Sequence, residues 1–178
     1  NVLALETLES LFALTPETDI PENLIPQMSF LADYFLRNNN HAKAIRLIKT
    51  LLRSSTNTSQ KFIFSSKLAV AYAQDGNAAL SEKTINNLLV HGINVRDLFQ
   101  LSYFFYEQGF WKKAIILLHQ CVSLDPHYAE PYLLTGVIWA DRKEYVKSLS
   151  YLHKGLDIDP SDNRFKIYIK NINLQAGH

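Results

Sequence analysis

Cysteine is nearly absent: the 178 residues contain one, Cys121. An internal disulfide is therefore excluded, and the lone thiol fits a reducing compartment, so a cytoplasmic location is the expectation. No apolar run approaches the roughly 20 residues that cross a bilayer, so no membrane insertion is expected. Glycine is sparse, and the 6 glycines never cluster, so no phosphate-cradling loop can be built from them. Charge of one sign is missing as well. The 18 basic and 17 acidic residues leave a net charge of +1 and are scattered, whereas a nucleic-acid binder gathers its cations on one face. We therefore expect no nucleic-acid partner.

Catalytic constellations are also lacking. The six histidines (His41, His91, His119, His127, His153, His178) show no paired spacing for a metal and read as exposed or helix-end side chains. Asp157 and Asp159 lie near the end of a helix and read as solvated surface rather than as an acid–base pair. Cys121 has no helix N-terminus or basic neighbour to activate it, so it reads as packing. The triplet Asn57-Thr58-Ser59 matches a glycosylation acceptor, a short pattern that recurs by chance and needs a secretory context. The expectation is a protein with no catalytic residues, no metal and no cofactor. The chain begins at Asn1 rather than Met, so we expect a trimmed or processed product, with a preceding signal peptide or domain left open.

What the chain has in quantity is apolar residues, 47% of the total, enough to build a real core. They fall in helical rather than strand periodicity. Residues 2–13 read as a helix, and Val2, Leu3, Leu5, Leu8, Leu11, Phe12 and the following Leu14 form a wide apolar face opposite Glu6 and Glu9. Thr15 to Pro26 contains Pro16, Pro21 and Pro26, which predicts an extended linker, and Ile20, Leu24 and Ile25 suggest that it lies against something.

From Val95 to Pro160 one pattern occurs twice in register. Pro126 and Pro160 each close an Asp-Pro pair (Asp125, Asp159). Leu124 and Ile158 precede them by two positions, Leu118 and Leu152 by eight. Each copy has two apolar-periodic runs with a short break between, at Gln108-Gly109 and at Arg142-Lys143. This is a helix–turn–helix unit of about 34 residues. Two weaker copies precede it. One has Leu31, Ala32 and Phe35, the turn Asn38-Asn39-Asn40, then Ala44, Ile48 and Leu51, with Ser54 to Ser59 as a polar loop. The other, from Phe62, has Leu68, Ala69 and Tyr72, the turn Asp75-Gly76-Asn77, then Ser81, Ile85 and Leu88, with Gly92 after His91 as a C-cap.

The pattern resembles the tetratricopeptide-repeat family. The residues that carry the likeness are small at the helix crossing (Ala32, Ala69, Gly136; Ala44, Ser81, Ala114, Ser148), aromatic at the gap (Phe35, Tyr72, Phe105, Trp139) and proline at the close (Pro126, Pro160). Ser102 and Gly155 depart from it, standing where Gly or Ala and where Ala are usual. The resemblance implies an all-α, right-handed α-solenoid of about four repeats with a capping helix at each end. The expected division is an N-terminal helix over 1–14, a linker over 15–24 and repeats over 25–58, 62–94, 95–128 and 129–162. A C-terminal helix over 163–178 would cover the open apolar end of the stack.

In this family the first helix of each repeat lines a concave groove. Carried over by position, the resemblance implies partner-binding residues Ile63, Val70, Arg96, Phe99, Tyr103, Tyr106, Leu133 and Val137. Helix 95–107 gives a reason from the residues themselves. Leu98, Leu101 and Phe105 supply its packing face, and Phe99, Tyr103 and Tyr106 form a second apolar stripe, so both faces need cover. That cover is either a partner, or neighbouring repeats and the chain's own linker. The family's carboxylate clamp is not matched, since Ser29, Asp33, Lys67, Arg96 and Gln100 occupy its positions. We therefore expect a non-enzymatic scaffold that binds an apolar peptide or helix of a partner protein. A bacterial secretion-system chaperone of the repeat class, self-associating through its N-terminal helix, and a structural subunit of a larger assembly stay open. So does an enzyme or an enzyme's regulatory domain, through residues upstream of Asn1.

Overall fold

The computed structural model describes residues 2–14, 19–90 and 92–176, with the backbone alone for residues 2–5 and 14. The side chains of Val2, Leu3, Leu5 and Leu14, and the residues Pro16, His91 and His178, lie outside the described residues. Every regular element among the described residues is helical. They are α1 (Val2–Leu14), a 3-10 turn (Glu22–Leu24), α2 (Ile25–Arg37), α3 (His41–Ser54), α4 (Thr58–Gln74), α5 (Ala78–Val90), α6 (Val95–Glu107), α7 (Trp111–Leu124), α8 (Glu130–Asp141), α9 (Tyr145–Ile158) and α10 (Asn163–Ala176). Among them, no helix is long and apolar enough to cross a membrane.

The same local device closes four helical hairpins. After α2, α4, α6 and α8 one residue takes a positive φ: Asn39 (56°), Gly76 (77°), Gly109 (83°) and Lys143 (61°). The left-handed backbone brings the next amide back onto the carbonyl of the aromatic residue five positions earlier. Asn40 N donates to Phe35 O (2.8 Å), Asn77 to Tyr72 (2.8 Å), Phe110 to Phe105 (2.9 Å) and Glu144 to Trp139 (3.0 Å). This satisfies carbonyls that a helix end otherwise leaves bare. The second helix then starts identically each time, with Ala44, Ser81, Ala114 and Ser148 donating to Asn40, Asn77, Phe110 and Glu144 at 3.0–3.1 Å.

Small residues let the paired helices approach. Ser81 Oγ donates to Ala69 O at 2.8 Å, and Ser148 Oγ to Gly136 O at 2.7 Å, so each hydroxyl is satisfied where the backbones cross. At Gly136 an added Cβ would sit 2.6 Å from Leu152 Cγ. Glycine there is a packing requirement.

Two of the sequence expectations need correction. The proline-bearing run does not stay extended to Pro26. It turns as a 3-10 helix at Glu22, and Pro26 sits in the first turn of α2, where a missing N–H costs nothing. The polar loop before the second repeat is also shorter than expected. Asn57 caps α4 by accepting from Ser59 N (2.7 Å), so the helix begins at Thr58, ahead of Phe62.

The helices fall into two compact units, residues 1–92 and 93–178. In the first, Phe12 of α1 joins Ile25, Met28, Leu31 and Phe35 of α2, Leu47, Ile48 and Leu51 of α3, and Phe64, Leu68 and Tyr72 of α4 in one buried cluster. Each such side chain contributes about 1.5–3 kcal/mol of burial. Arg46 lies over the Phe12 ring at 5.2 Å, and Lys43 pairs with Glu9, so α1 spends its buried side on this unit. Ile20 packs on the same cluster, and its amide donates to Ser54 Oγ at 2.8 Å. In the second unit α7 packs on α6 and α8, and α9 on α8. Its last helix closes the end: Phe165 and Ile172 of α10 are buried with Leu133 and Leu152. Gly155 now has its reason, because the Phe165 ring lies where an alanine Cβ would be.

Candidate functional site

The second unit carries an open groove of about 540 Å³. Three parallel repeat positions build it. Helix α6 contributes Phe99, Gln100, Tyr103 and Tyr106, α8 contributes Glu130, Leu133, Leu134 and Val137, and α10 contributes Arg164 and Tyr168. The spacing of Phe99, Tyr103 and Tyr106 puts the three rings on one side of α6, while Leu98, Leu101 and Phe105 turn inward and are buried.

Each ring is held differently. Phe99 is half-buried and meets Tyr128 edge to face at 5.7 Å. Tyr103 is exposed, with its ring 6.3 Å from that of Tyr106. Tyr106 is half-buried, and its hydroxyl donates to Asp141 Oδ2 at 2.8 Å. Burial first, then the hydrogen bond to Asp141, push the Tyr106 phenol well above its ordinary value. The charge of Glu107 first, then desolvation, push the Tyr103 phenol up as well. The Tyr106 hydroxyl is thus held as a donor to Asp141.

At the other end of the groove Arg164 is engaged by two carboxylates. It donates to Glu130 Oε1 at 2.7 Å and to Asp162 Oδ2 at 2.7 Å, and these carboxylates raise its already high pKa. The Asp162 carboxyl is held below its usual range, chiefly by the hydrogen bond from Arg164. Glu130 and Arg164 lie 34 residues apart, so this ion pair joins equivalent positions of α8 and α10.

The expected site residues are placed as follows. Phe99, Tyr103, Tyr106, Leu133 and Val137 line one groove, with Leu133 nearly buried as its floor. Arg96 is exposed at the start of α6. Ile63 and Val70 belong to the first unit, on α4, where Ile63 is 37% exposed and Val70 only 2%. In that unit the positions corresponding to the clamp close on themselves: Lys67 Nζ reaches Asp33 Oδ1 at 2.7 Å and Ser29 Oγ at 3.1 Å. Sequence reasoning missed Arg164 and Tyr168, because α10 read as a cap alone. The 34-residue step from Arg96 to Glu130, taken once more, lands on Arg164 and would have found it.

Cys121 is fully buried, and desolvation pushes its thiol up to about 12, so it is an inert packing residue. Among the described residues no group of three His, Cys, Asp or Glu side chains is placed to hold a metal ion.

Several solved structures are similar to this chain. MamA from Desulfovibrio magneticus is 17% identical with a TM-score of 0.51, over 86% of this chain and 85% of that one. YrrB, described as a TPR protein with an unusual peptide-binding site, is 15% identical with a TM-score of 0.51, over 93% and 81%. A tetratricopeptide repeat protein from Parabacteroides merdae is 14% identical with a TM-score of 0.52, over 87% and 61%. No protein-family model and no curated protein matches the sequence. At these identities the likeness establishes the fold, which is that of the tetratricopeptide-repeat solenoids.

Proposed function

We propose that this chain is a protein–protein interaction module whose second unit binds an apolar segment of a partner protein in the α6–α8–α10 groove. The observation that carries the reading is the exposed aromatic stripe. Tyr103 is 37% exposed on the groove wall beside Tyr106, Val137 and Tyr168, and large aromatics in an open apolar groove are the usual anchors of protein interfaces. The peptide-binding site ascribed to YrrB supports the same use of this fold. The reading involves no catalytic step. The deeply buried, unreactive Cys121 suits a reducing, cytoplasmic setting.

A displayed library of random twelve-residue peptides tests it. The wild-type chain should enrich apolar sequences. Tyr103→Glu should remain folded, because exposed substitutions usually change stability by under about 0.5 kcal/mol, and should lose the enrichment. No enrichment by the wild type, or undiminished enrichment by the folded variant, would remove the groove as the binding site.

A further inference from the structure

We propose that the groove selects a partner segment that carries a lysine or arginine at one end, the end lying against Glu107 and Asp141. The inference rests on the groove reading above and adds the chemistry of the occupant.

The two ends of the groove differ in charge compensation. At the start of α8 and α10 the carboxylates share a cation of the chain itself, since Arg164 pairs with both Glu130 and Asp162. At the far ends of α6 and α8 they do not. Glu107 and Asp141 are both exposed, and among the described residues neither has an ion-pair partner. Each has a groove tyrosine beside it: Tyr106 Oη donates to Asp141 Oδ2 at 2.8 Å, and Tyr103 stands one helical turn before Glu107 on α6, where the Glu107 charge acts on its phenol. One phenol occupies only a fraction of a carboxylate, which offers about four acceptor sites.

The cation next to Asp141 in sequence is engaged elsewhere. Arg142 follows Asp141 directly, but its guanidinium lies over the Trp111 ring at 5.1 Å. Lys143 leaves the helix at the positive-φ turn. The groove end is therefore two carboxylates beside two tyrosine rings whose centroids are 6.3 Å apart. A basic side chain entering there donates charge-assisted hydrogen bonds to the carboxylates and gains the attraction of the ring faces. Its apolar stem continues along Tyr106, Val137 and Leu133. An acidic segment would meet uncompensated negative charge at the same place.

The same displayed library separates this inference from the groove reading. Selected on the wild-type chain, enriched peptides should carry a lysine or arginine at one end of their apolar run. Selected on the double variant Glu107→Gln, Asp141→Asn, whose fold is checked by its melting temperature, the apolar run should persist and the basic preference vanish. For one synthetic selected peptide, the double variant should weaken binding about tenfold, the equivalent of about 1.4 kcal/mol. The analogue with its basic residue replaced by methionine should bind both chains alike. Apolar enrichment without basic bias, or the same bias on the double variant, would overturn the inference and leave the groove reading standing. No enrichment on the wild type would overturn both.

Discussion

The two units use equivalent surfaces in opposite ways. In the first, polar side chains of α2 and α4 are spent on each other, with Lys67 bound by Asp33 and Ser29. In the second, the corresponding face of α6 presents three aromatic rings along a groove of about 540 Å³. The same backbone hairpin, with the same left-handed turn, thus supports a self-satisfied face in one unit and an open apolar face in the other. Side chains on these exposed positions are free to vary because the fold is held elsewhere, by the inward aromatics and the small crossing residues.

The largest expected effect breaks the second unit and spares the first. Phe165→Ala removes a fully buried ring from the Leu133–Leu152–Ile172 cluster and should cost about 3–5 kcal/mol. Hydrogen exchange should then show loss of protection in α9 and α10 with α2–α4 unchanged. Uniform loss across the chain would mean that the units do not unfold separately.

Gly136→Leu acts on the same unit by the opposite route. It inserts volume where Leu152 already lies 2.6 Å from the place of a Cβ, and should cost on the order of 1–3 kcal/mol in denaturant unfolding. A neutral result would contradict the close crossing.

In the first unit, Lys67→Ala leaves Asp33 without its cation. Asp33 is about one-third exposed, so water compensates much of the loss, and a destabilisation of about 1 kcal/mol is expected. The cost should appear in stability alone, with peptide enrichment unchanged. Loss of enrichment by this variant would blur the division between the units.

The smallest effect concerns the local ion pair between Asp162 and Arg164 at the start of α10. Asp162 has its carboxyl lowered by Arg164, so its stabilising contribution is present above the ordinary carboxyl value of 3.8 and is lost as pH falls through the lower folded value. The melting temperature of Asp162→Asn should lie slightly below that of the wild type near neutral pH, and the gap should close in acid. A gap that widens in acid would reverse the sign.

The repeat architecture was legible because its signals are local. Asp125-Pro126 and Asp159-Pro160 stop helices, Gly76 and Gly109 mark turns, and Asn39 tolerates the left-handed backbone it adopts. Lys143 takes the same conformation with no turn signal of its own, so only the repeat register locates that turn. Asn57 read as part of a loop because an N-cap and a loop residue look alike until the amide it accepts is known. The groove was legible where it depends on one helix, since the spacing of Phe99, Tyr103 and Tyr106 fixes their common face. It was not legible where neighbouring helices decide. Position in the repeat puts Val70 on the groove list, yet it is 2% exposed, because register does not report how far an adjacent helix covers a side chain. Arg164 and Tyr168 join the groove from a helix whose pattern spoke only of capping.

Two residues of equal exposure give the most direct test. Ile63 in the first unit and Tyr103 in the second are each 37% exposed, and a glutamate at either should leave the fold intact. With a peptide selected on the wild-type chain, equilibrium binding is measured for Ile63→Glu and Tyr103→Glu alongside their melting temperatures. Binding should survive Ile63→Glu and fall by about 30-fold or more in Tyr103→Glu, the loss of a central anchor of about 2 kcal/mol. Equal losses, or a larger loss at Ile63, would contradict a binding face confined to the second unit.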